Sequence, residues 1–395
     1  MKTSIVILTL NQLPLTIQCL ESIWKNTSTP YELILVDNGS KDGTIEYLRN
    51  LGDRIILIEN PHNFGFAKGC NQGTEVASGD QILFLNNDTI LPPGWLEPMV
   101  EALYSDEDVG IVGPVTNYIS GQQKIAVPYT HIGDMEPFAK AHMQKHKGDM
   151  QEVRRIVGFC LMARRSLLED IGVFDERYGL GNYEDDDLCL RAVRAGYKLL
   201  IAWGSFIHHI GHASMGQSES ASLGNLLQIN REKSLQKWGL PVHELLYSPA
   251  VRISVCLITF NNEDILEATL TSLQGAVEEI IVVDLHSSDG SLDIARKYAT
   301  RVVALKSAGS PRLEPEMMYQ LATGDYLLWL EPGDNLDTFS RRRMAGLKKS
   351  LYPGYDVVTV PFGNGPRYLT ARYLHNVDPQ TVIHSPETAY FRTQL

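Results

Sequence analysis

Three segments of this chain occur twice, in the same order. "SIVILTLN" at 4–11 returns as "SVCLITFN" at 254–261, "ELILVDNGSKDGT" at 32–44 as "EIIVVDLHSSDGS" at 279–291, and "ASGDQILFLNND" at 77–88 as "ATGDYLLWLEPGD" at 322–334. A period near 250 residues is far too long for a solenoid unit, so the repeat means two domains of one ancestry. A length of 395 residues suits the same division. The domains are expected at 1–245 and 250–395, with the join near "LYSPAVR" at 246–252.

Within each copy, short β-rich runs alternate with amphipathic stretches of helical period. In the first copy, strands are expected at Ser4–Leu10, Glu32–Val36, Ile55–Glu59 and Gln81–Leu85. Helices are expected from Pro14, over Thr44–Leu51 and over Lys68–Ala77. This alternation predicts an α/β fold, a mostly parallel sheet with helices on both faces. Ligands of such sheets bind at the carboxyl ends of the strands. Thr9 and Asn11, Asp37 and Asn38, and Asn86, Asn87 and Asp88 stand there, so three strand ends converge on one crevice.

A carboxylate at Asp37 can accept hydrogen bonds from a base N–H or a ribose hydroxyl. Alternatively it caps the following helix, a task for which Asp42 is better placed. Further along, "GNYEDDDLCLRAVRAGY" carries Glu184, Asp185, Asp186 and Asp187 into the first turn of a helix. Acids there either complement the helix dipole or do chemistry. "FIHHIGHAS" clusters His208, His209 and His212. The long segment 116–155 has little apolar periodicity and reads either as a lid over a site or as a surface excursion with a helix near Glu136–His146.

Composition limits the partners. The chain is 44% hydrophobic and 21% charged, with a formal charge of -12. That balance argues against nucleic-acid binding, which needs basic patches. It leaves room for one small nucleotide held by amides and a metal ion. Five scattered cysteines with no C-x-x-C pair read as reduced, buried thiols and favour the cytoplasm. The start "MKTSIVILTLN" shows no small-residue cleavage site, and no segment approaches membrane-spanning length. Any membrane contact is expected to be peripheral.

The stretches "TLN", "LVDNGSKDGT", "NFGFAKGCNQG", "FLNNDTILPPGW", "VGFCLMARRSLLEDIGVFDERYGLGNYEDDDLCLRAVRAGY" and "HHIGHAS" together resemble family 2 glycosyltransferases of GT-A fold, over about residues 3 to 215. The resemblance implies a nucleotide-sugar donor, UDP- or dTDP-linked, a divalent cation (Mn or Mg), and transfer with inversion to a glycan or protein hydroxyl. By the same resemblance Asp37 holds the base, with Thr9 and Asn11 shaping its pocket, and Asn71 contacts the donor. Asn86-Asn87-Asp88 is similar to the family's D-x-D motif, in the form of a rhamnosyltransferase-like branch. Asp88 would hold the metal, and Asn86 would face ribose or diphosphate. Asp185 aligns as the base, with Glu184 positioning the acceptor and Asp187 bonding backbone or an arginine such as Arg191. His209, Gly211 and Ser214 fit the family's histidine pattern, which makes His209 a metal or diphosphate ligand and His208 its runner-up.

The second copy keeps Thr259, Asn261 and Asp284 but has Glu331-Pro332-Gly333-Asp334 in place of Asn-Asn-Asp, and no later acidic cluster. It reads either as a second small transferase site or, preferably, as a degenerate copy that binds acceptor or acts as scaffold. "TLNQLPLT" has no glycine-rich phosphate loop, which speaks against a nucleotidyltransferase or a dinucleotide-dependent dehydrogenase. The remaining alternative is a non-catalytic nucleotide-sugar or carbohydrate-binding scaffold. It predicts loss of Asp88 or Asp185, and both are present.

Overall fold

A computed structural model describes residues 1–211, 220–305, 315–351, 357–362 and 365–371. The chain divides into two compact units, Met1–Val193 with Tyr197–Leu246, and Arg194–Gly196 with Tyr247–Leu395. His212 and Ser214 lie outside the described residues.

The first unit carries strands β1 (Thr3–Thr9), β2 (Tyr31–Asp37), β3 (Ile56–Glu59), β4 (Gln81–Asn86), β5 (Thr89–Ile90), β6 (Val109–Thr116), β7 (Met150–Val153), β8 (Cys160–Arg164) and β9 (Lys198–His209). Its helices are α1 (Leu13–Asn26), α2 (Thr44–Asn50), α3 (Phe66–Val76), α4 (Glu97–Leu103), α5 (Met135–Lys145), α6 (Arg165–Ile171), α7 (Glu184–Arg194), α8 (Ser220–Trp238) and α9 (Val242–Tyr247). The strands form one sheet in the order β3-β2-β1-β4-β8-β6-β9-β5, with β7 on β9. β1 to β4 are mutually parallel, β8 runs against β4 and β6, and β9 is parallel to β6. The carboxyl ends of β1, β2, β4, β6 and β9 therefore share one edge.

Helices cover both faces of the sheet, which is why its strands read as near-continuous apolar runs. Ile5, Ile7, Leu33, Leu35, Leu83 and Leu85 point to one face and pack with Cys19, Leu20 and Ile23 of α1. The alternate residues Val6, Ile34, Val36 and Phe84 are equally buried on the other. All five cysteines are free and buried. Among the described residues no helix is long and apolar enough to cross a membrane.

The second unit begins with β10 (Ile253–Thr259), β11 (Glu279–Asp284), β12 (Arg301–Ala304), β13 (Tyr326–Leu330), β14 (Val357–Phe362) and β15 (Gly365–Ala371), in the order β12-β11-β10-β13-β15-β14. Its helices are α10 (Glu263–Leu273), α11 (Ser291–Tyr298), α12 (Pro315–Leu321) and α13 (Thr338–Ser350). The repeat extends to register and hydrogen bonding. Thr9 pairs with Asp37 as Thr259 does with Asp284. Asn11 and Asn261 both adopt positive φ, 55° and 53°. The Asn11 N–H donates to Ser40 Oγ at 2.7 Å and the Asn261 N–H to Ser287 Oγ at 3.0 Å. Asp42 accepts from the N–H groups of Leu13 and Thr44 just as Asp289 accepts from those of Glu263 and Ser291. The helix-capping acid is therefore Asp42, which releases Asp37 from that task.

Gly65, at φ +91°, opens α3 where the chain crosses a neighbouring loop, and a Cβ there would stand 2.0 Å from the carbonyl oxygen of Gly179. Both the backbone region and the space demand glycine. Gly65→Ala is expected to lower stability by about 2 kcal/mol or more, read as a drop in thermal midpoint.

Candidate active site

Gly181, Asn182 and Tyr183 precede α7 at φ 138°, 71° and 79°. Two non-glycine residues in left-handed backbone store strain that the surroundings must hold. Asn230 of α8 holds it: its buried side-chain amide donates to the carbonyls of Tyr178 and Gly181 at 2.8 Å and Asn182 at 3.1 Å. The helix so launched turns its four acids inward, and all four are buried. A buried carboxylate needs partners or must give up its charge.

Each acid meets that demand differently. Asp187, fully buried, accepts from Arg191 Nε at 2.8 Å, Lys237 Nζ at 2.6 Å and Trp238 Nε1 at 2.9 Å, which includes the expected arginine. Asp186 sits between Arg155 Nε at 2.5 Å and His243 Nε2 at 2.8 Å. Burial pushes its carboxyl up, but the bonds from His243 and Arg155 outweigh it and hold the group below the ordinary carboxylate range. His243 is raised in return, chiefly by its hydrogen bond to Asp186.

Asp185 accepts only backbone N–H groups, Gly158 on Oδ2 and Asp186 on Oδ1, each at 2.9 Å. One lone pair on each oxygen stays open. Burial, then the charge of Asp186, raise its pKa to about 6 against the opposing pull of Arg155. Glu184 has the least compensation: Oε2 is buried without a partner, and burial, then Asp185, push its carboxyl well above the usual range. The quartet thus sets a carboxyl raised by burial beside a carboxylate with a pKa of about 6.

A crevice of about 680 Å³ at the carboxyl edge is lined by Glu184, Asp185 and Asp186, by Asn86 and His209, and by Arg155, Gly158, Phe159, Leu180, Tyr183 and Leu227 among others. His209 ends β9 with its ring against Phe159, centroids 5.1 Å apart. Its Nδ1 lies 2.8 Å from the Tyr118 carbonyl oxygen, which can only accept, so Nδ1 carries the proton. In the neutral ring, Nε2 then turns a bare lone pair toward Asp88 Oδ1, 3.3 Å away. That oxygen is buried and has no hydrogen-bond partner. Two acceptors facing one another call for a cation between them, and an imidazole nitrogen with a carboxylate oxygen suits Mn²⁺ or Mg²⁺. Among the described residues no third His, Cys, Asp or Glu joins them. His208 points to the opposite face of β9, where Nδ1 meets the Tyr129 hydroxyl at 2.7 Å.

The other strand-end residues lie outside this crevice. Asp37 Oδ1 accepts from Thr9 Oγ1 at 3.1 Å and Ser40 Oγ at 2.5 Å, and Oδ2 from the N–H groups of Gly39 and Ser40. Asn38 joins Asn60, Asn63 and the Gly65 carbonyl. Asn11 Oδ1 accepts from the Lys41 N–H at 2.8 Å, and Asn87 Nδ2 donates to Thr16 Oγ1 at 3.0 Å. The Asn71 side-chain amide donates to the Phe174 carbonyl and accepts from the Phe174 N–H, pinning α3 to the 174–176 loop. Segment 116–155 does carry a helix, α5, whose Phe138 packs edge-on against Phe206 of β9 at 5.3 Å. Its Ile119 and Ser120 line the crevice. Arg155, Asn230 and His243 were not singled out by sequence, and Gly158 stood without an assigned role inside the stretch "VGFCLMARR".

Asp187→Asn would leave Arg191 without its carboxylate and Lys237 with Asp175 alone. The expected cost is about 3 kcal/mol of stability, measurable by urea unfolding with little change in slope.

The description "Glycosyl transferase family 2" fits residues 4–172 and again residues 254–332. An uncharacterized glycosyltransferase of Bacillus subtilis, YwdF, is 29% identical over 242 residues, covering 61% of this chain and 85% of the relative. An N-acetylglucosaminyl-diphospho-decaprenol L-rhamnosyltransferase of Mycobacterium tuberculosis is 27% identical over 224 residues, 49% of this chain and 72% of the relative. A solved mannosyltransferase of Pyrobaculum calidifontis, in complex with GDP-Man and Mn²⁺, is 18% identical with a TM-score of 0.46, over 62% of this chain and 69% of that one. With a family match across more than half its length, the chain belongs to glycosyl transferase family 2.

Proposed function

We propose that this glycosyltransferase moves a sugar from a UDP- or dTDP-linked donor to a hydroxyl of a glycan or protein acceptor, with inversion and with the help of a divalent cation. The observation that carries the reading is Asp185: a buried carboxylate of pKa about 6, with open lone pairs, in one crevice with His209 and Asn86. Direct displacement at an anomeric carbon needs a base that takes the acceptor proton as the bond forms. Asp185 does so, while Glu184 beside it positions the acceptor. Asp186, kept ionised by Arg155 and His243, makes the proton welcome on its neighbour. The new glycosidic bond forms on the face opposite the departing nucleoside diphosphate.

Asp88 and His209 would hold the cation, which supplies positive charge to the diphosphate as it leaves. Asp88 would supply a carboxylate oxygen to it and His209 an imidazole nitrogen. Asn86 faces the ribose or diphosphate. Thr9, Asn11, Asp37 and Asn38 form the base end of the site. Two of the four donors on Asp37 are hydroxyl rotors, Thr9 and Ser40, which can turn aside for a base N–H. Asn71 and Asn87 act as supports. The rhamnosyltransferase relative makes a lipid-linked glycan a reasonable acceptor class, and five buried thiols suit the cytoplasm.

Asp185→Asn should lower kcat about 10³-fold and leave donor affinity within twofold, as read by single-turnover kinetics and calorimetry. Unchanged turnover would remove Asp185 from the role of base. The wild-type rate should fall tenfold per pH unit below about 6, where Asp185 is protonated, and level off above it. A thermal-shift panel of nucleotide sugars with Mn²⁺ or chelator should give a metal-dependent rise for one donor, abolished in Asp88→Ala. A rise that persists in Asp88→Ala would refute the cation assignment.

A further inference from the structure

The two units differ at the ends of β4 and β13. In the first unit β8 runs antiparallel to β4 with Gln81 opposite Arg164 and Leu85 opposite Cys160. In the second, β15 runs antiparallel to β13 with Tyr326 opposite Ala371 and Leu328 opposite Leu369. The repeat aligns Gln81 with Tyr326 and Leu85 with Leu330. Continuing the register two residues sets Arg367 level with Leu330, the place that the buried thiol of Cys160 holds in the first unit.

That exchange puts a guanidinium at the acidic strand end. Asp334, 2% exposed, accepts from Arg367 Nε at 2.7 Å and Nη2 at 3.1 Å. Glu331 Oε2 also accepts from Nη2 at 3.1 Å, and Asp334 Oδ2 takes the Glu331 N–H at 2.8 Å. Asp88, the comparable acid of the first unit, keeps Oδ1 without a hydrogen-bond partner and stands beside His209. Among the described residues the second unit has one histidine, His286, on the loop after β11. Its residues do not fit a divalent ion.

We infer that Arg367 is a built-in counter-ion that closes the cation seat of the second unit, so that among the described residues the end of β13 takes no divalent metal and the metal-dependent site is that of the first unit. Arginine stays protonated at any working pH, and its planar fork matches a carboxylate more closely than an ammonium would. One fixed positive charge is shared between Asp334 and Glu331, which leaves the cluster with a net negative charge. A diphosphate, with no ion to bridge it, is repelled there. Only the equivalence with the first unit rests on the cation assignment to Asp88 and His209; the closure itself rests on contacts within the second unit.

The experiment counts Mn²⁺ bound to the full chain by electron paramagnetic resonance, with MnCl₂ alone. Asp88→Asn should bind none. Adding Arg367→Gln, which keeps one donor to Asp334, should create a new ion site, tightening Mn²⁺ binding at least about tenfold, and Asp334→Asn should remove it again. A manganese ion that survives in Asp88→Asn and disappears with Asp334→Asn would overturn the inference without any change at Arg367. So would an Arg367→Gln chain that melts normally and gains no ion. Should wild type itself bind no Mn²⁺, the Asp88 and His209 assignment fails, while Arg367→Gln still tests the closure.

Discussion

The structure depends on burying four consecutive carboxylates in the first turn of one helix. Like charges that close, taken out of water, repel strongly. The chain answers by drawing partners from distant segments: Arg155 from the stretch before β8, Lys237 and Trp238 from α8, His243 from α9, and Arg191 from one turn along α7 itself. Asp187 and Asp186 receive this compensation, whereas Asp185 and Glu184 receive backbone donors or none. The uneven distribution ties two of the acids to side-chain cations and leaves the other two without one. It also explains why residues 220–247 pack where they do, since without their cations and the amide of Asn230 the acidic turn would not close.

A second constraint comes from the sheet. β5 is only two residues long, yet its pairing sets Thr89 opposite His209, and the Ile210 N–H donates to the Asp88 carbonyl at 3.0 Å. Those bonds bring a carboxylate from the end of β4 and an imidazole from the end of β9 together, although 121 positions separate 88 from 209. Strand alternation then decides which of two adjacent histidines faces the site. The Tyr118 carbonyl fixes the tautomer, so one backbone oxygen determines whether the ring offers a proton or a lone pair to the crevice.

Much of this was legible in sequence for a simple reason: strands buried on both faces are written as unbroken apolar runs, and their ends as abrupt polar ones. The acid run and the histidine pair were visible as clusters. What stayed hidden was every contact that spans the fold. His243 and Asn230 look like ordinary helix residues, and Arg367 gains meaning only from a partner 33 residues away across an antiparallel pair. Nor did residue type separate side chains tied to backbone from those that line the crevice. Asn71 and Asn86 read alike, but one side-chain amide is held on both sides by the Phe174 backbone and the other lines the crevice.

The repeat shows why that last distinction resists sequence. Both units keep Thr, Asn and Asp at matching strand ends, with the same turn, the same positive φ and the same hydrogen bonds to backbone. Parallel strands end with backbone groups that have left the ladder, and short polar side chains are the readiest way to satisfy them. A turn that persists in a copy with a closed cation seat is being held by backbone geometry, not by donor chemistry. The presence of Thr9, Asn11 and Asp37 therefore says little about catalysis by itself. What separates the ends of β4 and β13 is a histidine beside the partnerless acceptor of Asp88 and a guanidinium beside Asp334, and both are visible only as geometry.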